Sequence, residues 1–143
     1  MDEVHYYSTN VEWKEGRIGE LNAPTFPSIK VATPPEFKKG VPEIWSPEHL
    51  FVASINICLM TTFLAIAENS NLEFISFNSE ATGKLEKVDG KYMISEVELK
   101  PVVKIKDEKH KEKTLRILDK SEKGCLISNS AKSKIILNPQ VIL

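Results

Sequence analysis

From Leu50 to Ala67 the chain carries no charge, and apolar side chains fall on every side of a helical wheel. Eighteen such residues are too many for one strand and predict a helix buried in protein on most sides. Ser46 suits the N-cap, Pro47 the first helical position and Glu48 the positive end of the helix dipole; the helix is predicted to run to about Asn69. Val4 to Trp13, rich in β-branched and aromatic residues, predicts a first strand. Lys14-Glu15-Gly16 predicts a turn, Arg17 to Leu21 a second strand and Ser28 to Thr33 a third. Paired prolines and a glycine between Pro34 and Pro42 predict a loop. Glu73–Lys87 and Lys91–Lys106 read as two long strands joined at Asp89-Gly90, a type I′ turn signal. Asp107 can cap a second helix over about Glu108–Glu122, which Gly124 can end. Ala131–Ile142 reads as a last strand broken at Pro139.

The order β-β-β-α-β-β-α-β, with a hairpin between the helices, predicts an α+β fold rather than a parallel α/β sheet. The length of 143 residues predicts one domain over 1–143, with no repeat or linker. The charge-free run also reaches the length of a membrane span. Ser54, Asn56, Thr61 and Thr62 inside it, and Glu48 and Glu68 in place of cationic flanks, argue against that reading. A small domain has difficulty surrounding so apolar a helix, so a partner subunit is expected on one face. A net charge of −1 gives no field that would draw the chain to nucleic acid or to an anionic membrane. The lysines between Lys104 and Lys113 are interleaved with Asp107, Glu108 and Glu112 and read as a solvated helix start. Met1-Asp2-Glu3 lacks the basic and apolar regions of a signal peptide. Two cysteines are too few for a disulfide scaffold, and a cytoplasmic protein with reduced thiols is expected.

Cys58 and Cys125 are the chain's two nucleophilic sulfurs. Cys58 lies three turns into the long helix, where the dipole gives its thiolate little, so activation has to come from elsewhere in the fold. Cys125 follows the helix-stop Gly124; a new helical turn starting there would favour its thiolate. Most buried cysteines are inert core residues, and that reading stays open for both. Arg17 ends a turn, where arginine is usually just solvated, and Glu48 has a sufficient role in the dipole alone. His5, His49 and His110 have no metal-ligand spacing, and no nucleotide or hydrolase motif is present. No metal and no cofactor are expected.

Pro47-Glu48-His49-Leu50-Phe51-Val52-Ala53 followed by Cys58 resembles the central helix of the OsmC/Ohr family. Val31 to Phe37 is similar to that family's entry into the helix, Cys125 with Ser128 to its second cysteine motif, and Gly16-Arg17 to its N-terminal arginine. The resemblance implies antiparallel sheets wrapped around a long buried central helix, in an intertwined homodimer. It implies a peroxidase of organic hydroperoxides, with Cys58 attacking the peroxide and Cys125 resolving the sulfenic acid as a disulfide. Arg17 and Glu48 would activate the thiolate and orient the peroxide, and a dithiol such as dihydrolipoamide would be the external reductant. Active family members often carry proline directly after the resolving cysteine; here the residue is Leu126. The other reading is a dimeric stress-response or small-molecule-binding protein of the same fold, with redox-inert cysteines.

Overall fold

The structure, a computed structural model, describes residues 3–143. The expectation placed on Met1 and Asp2 lies outside the described residues. Two compact units emerge, one ending at Leu50 and the other beginning at Phe51.

In the N-terminal unit, β1 (Asn10–Glu15), β2 (Ile18–Asn22) and β3 (Ile29–Ala32) form an antiparallel sheet in that order. Gly16, at φ 54°, supplies the left-handed backbone of the first turn, and Trp13 Nε1 donates to its carbonyl at 3.0 Å. The first strand begins at Asn10, not Val4. Val4, Tyr6 and Tyr7 are exposed and share no ladder among the described residues, and β-forming residues make a strand only where a neighbour pairs and packs with them. The predicted loop is anchored: Ala32 N–H donates to the Trp45 carbonyl at 2.9 Å, and Val41 N–H to the Thr33 carbonyl at 2.9 Å. Inside it, a Cβ on Gly40 would stand 1.9 Å from the Pro34 carbonyl oxygen, so the chain crosses itself where only glycine fits.

The long helix α1 spans Pro47–Asn69, as its sequence signals predict. Ser46 Oγ accepts from the His49 N–H at 3.1 Å, which confirms the cap. In the second unit, β4 (Ser76–Val88) and β5 (Lys91–Lys104) form the predicted hairpin. Asp89 and Gly90 take φ of 51° and 79°, the paired positive values of a type I′ turn. The predicted second helix is a 3₁₀ turn, Glu108–His110, capped by Asp107, followed by α2, Lys111–Lys123. A further short helix, α3, covers Leu126–Ser130. The expected last strand is split into β6 (Lys134–Leu137) and β7 (Gln140–Ile142), both parallel to β5, so this sheet is mixed. The split faces Pro101, which has no N–H to offer. Pairing with β6 ends at Leu99, pairing with β7 starts at Val102, and Asn138-Pro139 fills the gap.

One face of α1, through Ile55, Leu59, Phe63 and Ala67, is buried. Its N-terminal half packs with Val97 and Leu99 of β5; its C-terminal half packs with Val103, Ile105 and the α2 residues Ile117 and Leu118. The opposite face stays open: Ile57 is 56 %, Met60 36 % and Leu64 41 % exposed. One chain thus covers only part of a helix that is apolar all round. By length and composition α1 could cross a membrane, a test that the core helix of a soluble protein also passes.

Candidate active site

Helix spacing places Cys58 next to the buried row of α1, one residue before Leu59, and leaves it 8 % exposed. Thr62, one turn further on, directs its hydroxyl at the Cys58 sulfur, 3.9 Å away. The second cysteine arrives from α2. That helix ends at Gly124, whose backbone stays right-handed, so glycine is not there for a positive φ. A Cβ at this position would lie a tight 3.2 Å from the Lys120 carbonyl oxygen of the same helix, while Thr62 Cγ2 of α1, at 4.0 Å, would be at ordinary contact distance. Cys125 then serves as the N-cap of α3, its carbonyl accepting from the Asn129 N–H at 3.0 Å, and is 1 % exposed.

The two sulfurs meet as free thiols. Burial pushes the Cys58 thiol up. Hydrogen bonds from the Cys125 thiol, the Ile127 N–H, the Thr62 hydroxyl and the Leu126 N–H outweigh it, and the pKa lies below the ordinary thiol value. Cys125 moves the other way. Burial raises it first, and donating its proton to Cys58 raises it further, against the opposing pull of the Ser128 hydroxyl and N–H. The pair therefore divides its work: Cys58 ionises first and Cys125 holds the remaining proton against it. A thiolate beside a thiol is the arrangement that attacks an electrophile and then closes a disulfide.

The sequence marks both cysteines as candidate nucleophiles but not the donors that surround Cys58 within its own unit. The structure supplies Thr62, legible in principle as a hydroxyl one turn away, and two main-chain N–H groups that no side-chain pattern marks. Leu126 matters here, since a proline at this position would have no N–H to give.

Arg17 and Glu48 both belong to the N-terminal unit. Arg17 is exposed and borders a hollow of about 480 Å³ that Val11, Trp13, Val31 and Pro47 also line. Glu48 is half-buried, and its Oε1 finds no hydrogen-bond partner among the described residues. No ion pair joins Arg17 to Glu48 there. No cluster of three or more His, Cys, Asp or Glu fit to hold a metal exists among the described residues.

Replacing Cys125 tests the division of acidity. Cys125→Ala removes the largest contribution that lowers Cys58, so the pH profile of Cys58 alkylation by iodoacetamide should move to higher pH. Cys125→Ser keeps an O–H donor and should move it less. Coincident profiles for wild type and Cys125→Ala would assign the acidity to Thr62 and the main-chain donors.

The family model described as OsmC-like protein matches residues 40–139. No curated protein matches the chain. Among solved structures, an OsmC-like protein of unknown function from Vibrio cholerae superposes with a TM-score of 0.86 at 22 % identity, over 95 % of this chain and 99 % of that one. An OsmC-like protein from Mycoplasma pneumoniae gives 0.79 at 18 % identity, over the full length of both chains. An organic hydroperoxide resistance protein from Elizabethkingia anophelis, with thiocyanate bound, gives 0.78 at 18 % identity and 99 % of each chain. At such identities these likenesses speak for the fold.

Proposed function

Because the chain belongs to the OsmC-like family, we propose that it is a cysteine-based peroxidase that reduces organic hydroperoxides. The observation that carries this reading is the Cys58–Cys125 pair with its acidities pushed apart. The Cys58 thiolate attacks the O–O bond. The alkoxide leaves as the alcohol after taking a proton, and Cys58 becomes a sulfenic acid. The Cys125 thiol condenses with it, releasing water and closing a Cys58–Cys125 disulfide. An external dithiol such as dihydrolipoamide reopens the disulfide and is oxidised in turn. No metal or cofactor takes part, and a reduced resting pair suits the cytoplasm.

The reading includes a homodimer. The open apolar face of α1, with Ile57, Met60 and Leu64, is assigned to a second copy rather than to lipid. Arg17, always charged and with a planar fork of donors, is assigned to orienting the peroxide. The unpartnered Glu48 Oε1 supports a role for Glu48 toward groups that one chain does not supply. Glu48 and Cys58 lie ten residues apart on α1, about 15 Å of rise, which is beyond the reach of a glutamate side chain. Glu48 of one subunit is therefore assigned to Cys58 of the other. A mixed dimer of Glu48→Ala and Cys58→Ser chains should retain about half of the wild-type activity, because one site loses both groups and the other keeps both. An inactive mixed dimer would place Glu48 with the Cys58 of its own chain.

Thiol titration before and after one equivalent of cumene hydroperoxide tests the central claim. Rapid loss of two thiols per chain is expected. Two unchanged thiols would leave a redox-inert binding protein of the same fold.

A further inference from the structure

We propose that Cys58 and Cys125 together form a chelating site for trivalent arsenic, taken up as arsenous acid. The geometry stands on three observations within one unit. Cys125 donates its thiol proton to Cys58. Thr62 places its hydroxyl 3.9 Å from the Cys58 sulfur. A Cβ on Gly124, next to Cys125, would reach to 4.0 Å from Cγ2 of the same Thr62. Two free thiols are thus held side by side on helices already fixed by the core, so little further ordering is needed to bring both onto one centre.

The donor set selects the ligand. A structural zinc ion takes four protein ligands. Among the described residues no third His, Cys, Asp or Glu completes such a group around the pair. Thiolate sulfur favours soft centres. A trivalent arsenic centre needs two sulfurs and brings its own hydroxide. Two As–S bonds form, two As–OH bonds break, and the two thiol protons leave with the hydroxides as two waters. One hydroxide stays on arsenic, no oxidation state changes, and no co-reactant is required. One thiol bonds to arsenic first, and the other, held beside it, closes the ring. Chelation rests on the pair alone. Its consequence, that arsenite blocks hydroperoxide reduction, rests on the peroxidase reading, because arsenic would occupy both reacting sulfurs.

The test uses the reduced full-length protein and sodium arsenite without peroxide, read by intact mass and by the number of thiols open to iodoacetamide. One arsenic per chain and loss of both thiols are expected, with both restored by excess 2,3-dimercaptopropanol. Cys58→Ala, Cys125→Ala and Cys125→Ser should each bind at least ~100-fold more weakly, as loss of a second tethered ligand implies. Wild-type protein that keeps two reactive thiols and gains no arsenic would overturn the proposal. So would a single-cysteine variant that binds as tightly as wild type. Cumene hydroperoxide is then added to protein with and without arsenite. Consumption that arsenite abolishes supports both readings. No consumption in the arsenite-free arm sinks the peroxidase reading and leaves chelation standing.

Discussion

Cys58→Ser should reduce hydroperoxide consumption to the uncatalysed background, whereas Cys125→Ser should complete one attack and then overoxidise. The asymmetry follows from the order of the chemistry. Attack needs a thiolate, and a serine hydroxyl in the place of Cys58 stays protonated where the thiol, lowered below its ordinary value, ionises. Protection needs a second thiol within reach of the sulfenic acid, and Cys125 is in contact with Cys58 before any peroxide arrives. Without it, a second equivalent of peroxide converts the sulfenic acid to a sulfinic acid. Mass spectrometry of peroxide-treated Cys125→Ser protein should show two added oxygens at Cys58. Sustained turnover by Cys58→Ser would reverse the assignment of the nucleophile. The pH dependence has a definite sign. Activity should persist below the pH at which an ordinary thiol loses its thiolate and fall once Cys58 is protonated, while Cys125 remains a thiol throughout.

Phe63→Ala should cost about 3–5 kcal/mol of stability, the range for removing a buried aromatic side chain. Phe63 is fully buried on α1 and packs edge-on against Phe74, with ring centres 5.2 Å apart. It also packs at a tilt against Phe77 of β4 at 5.1 Å. Phe77 touches both halves of the core, so a cavity at Phe63 loosens the grip of α1 on the sheet near Cys58 as well as locally. A domain of this kind holds about 5–15 kcal/mol in total, so the loss is a large fraction. Urea unfolding of both proteins at one fixed protein concentration measures it, the fixed concentration being needed if chains associate. A loss below about 1 kcal/mol would show that Phe74 and Phe77 close over the gap.

The sequence by itself determined those features whose causes are local. Ser46-Pro47 starts α1 because a hydroxyl cap and a fixed φ act within one turn, and the helix runs to Asn69 as read. Asp89-Gly90 turns the hairpin because both residues tolerate positive φ wherever they stand. The α+β class and the two cysteines as candidate chemistry were legible for the same reason: spacing and residue type carry them. The tertiary structure decided what depends on distant partners. Val4–Thr9 has the composition of a strand but no pairing neighbour among the described residues. The parallel course of β6 and β7 follows from where β5 and Pro101 lie, and nothing within 131–142 records its direction. The acidity of Cys58 belongs to this second class. Its donors sit one turn away on α1 and at the end of α2 and the start of α3, and two of them are backbone N–H groups. Every residue but proline has such a group, so only the fold can say which ones point at a sulfur.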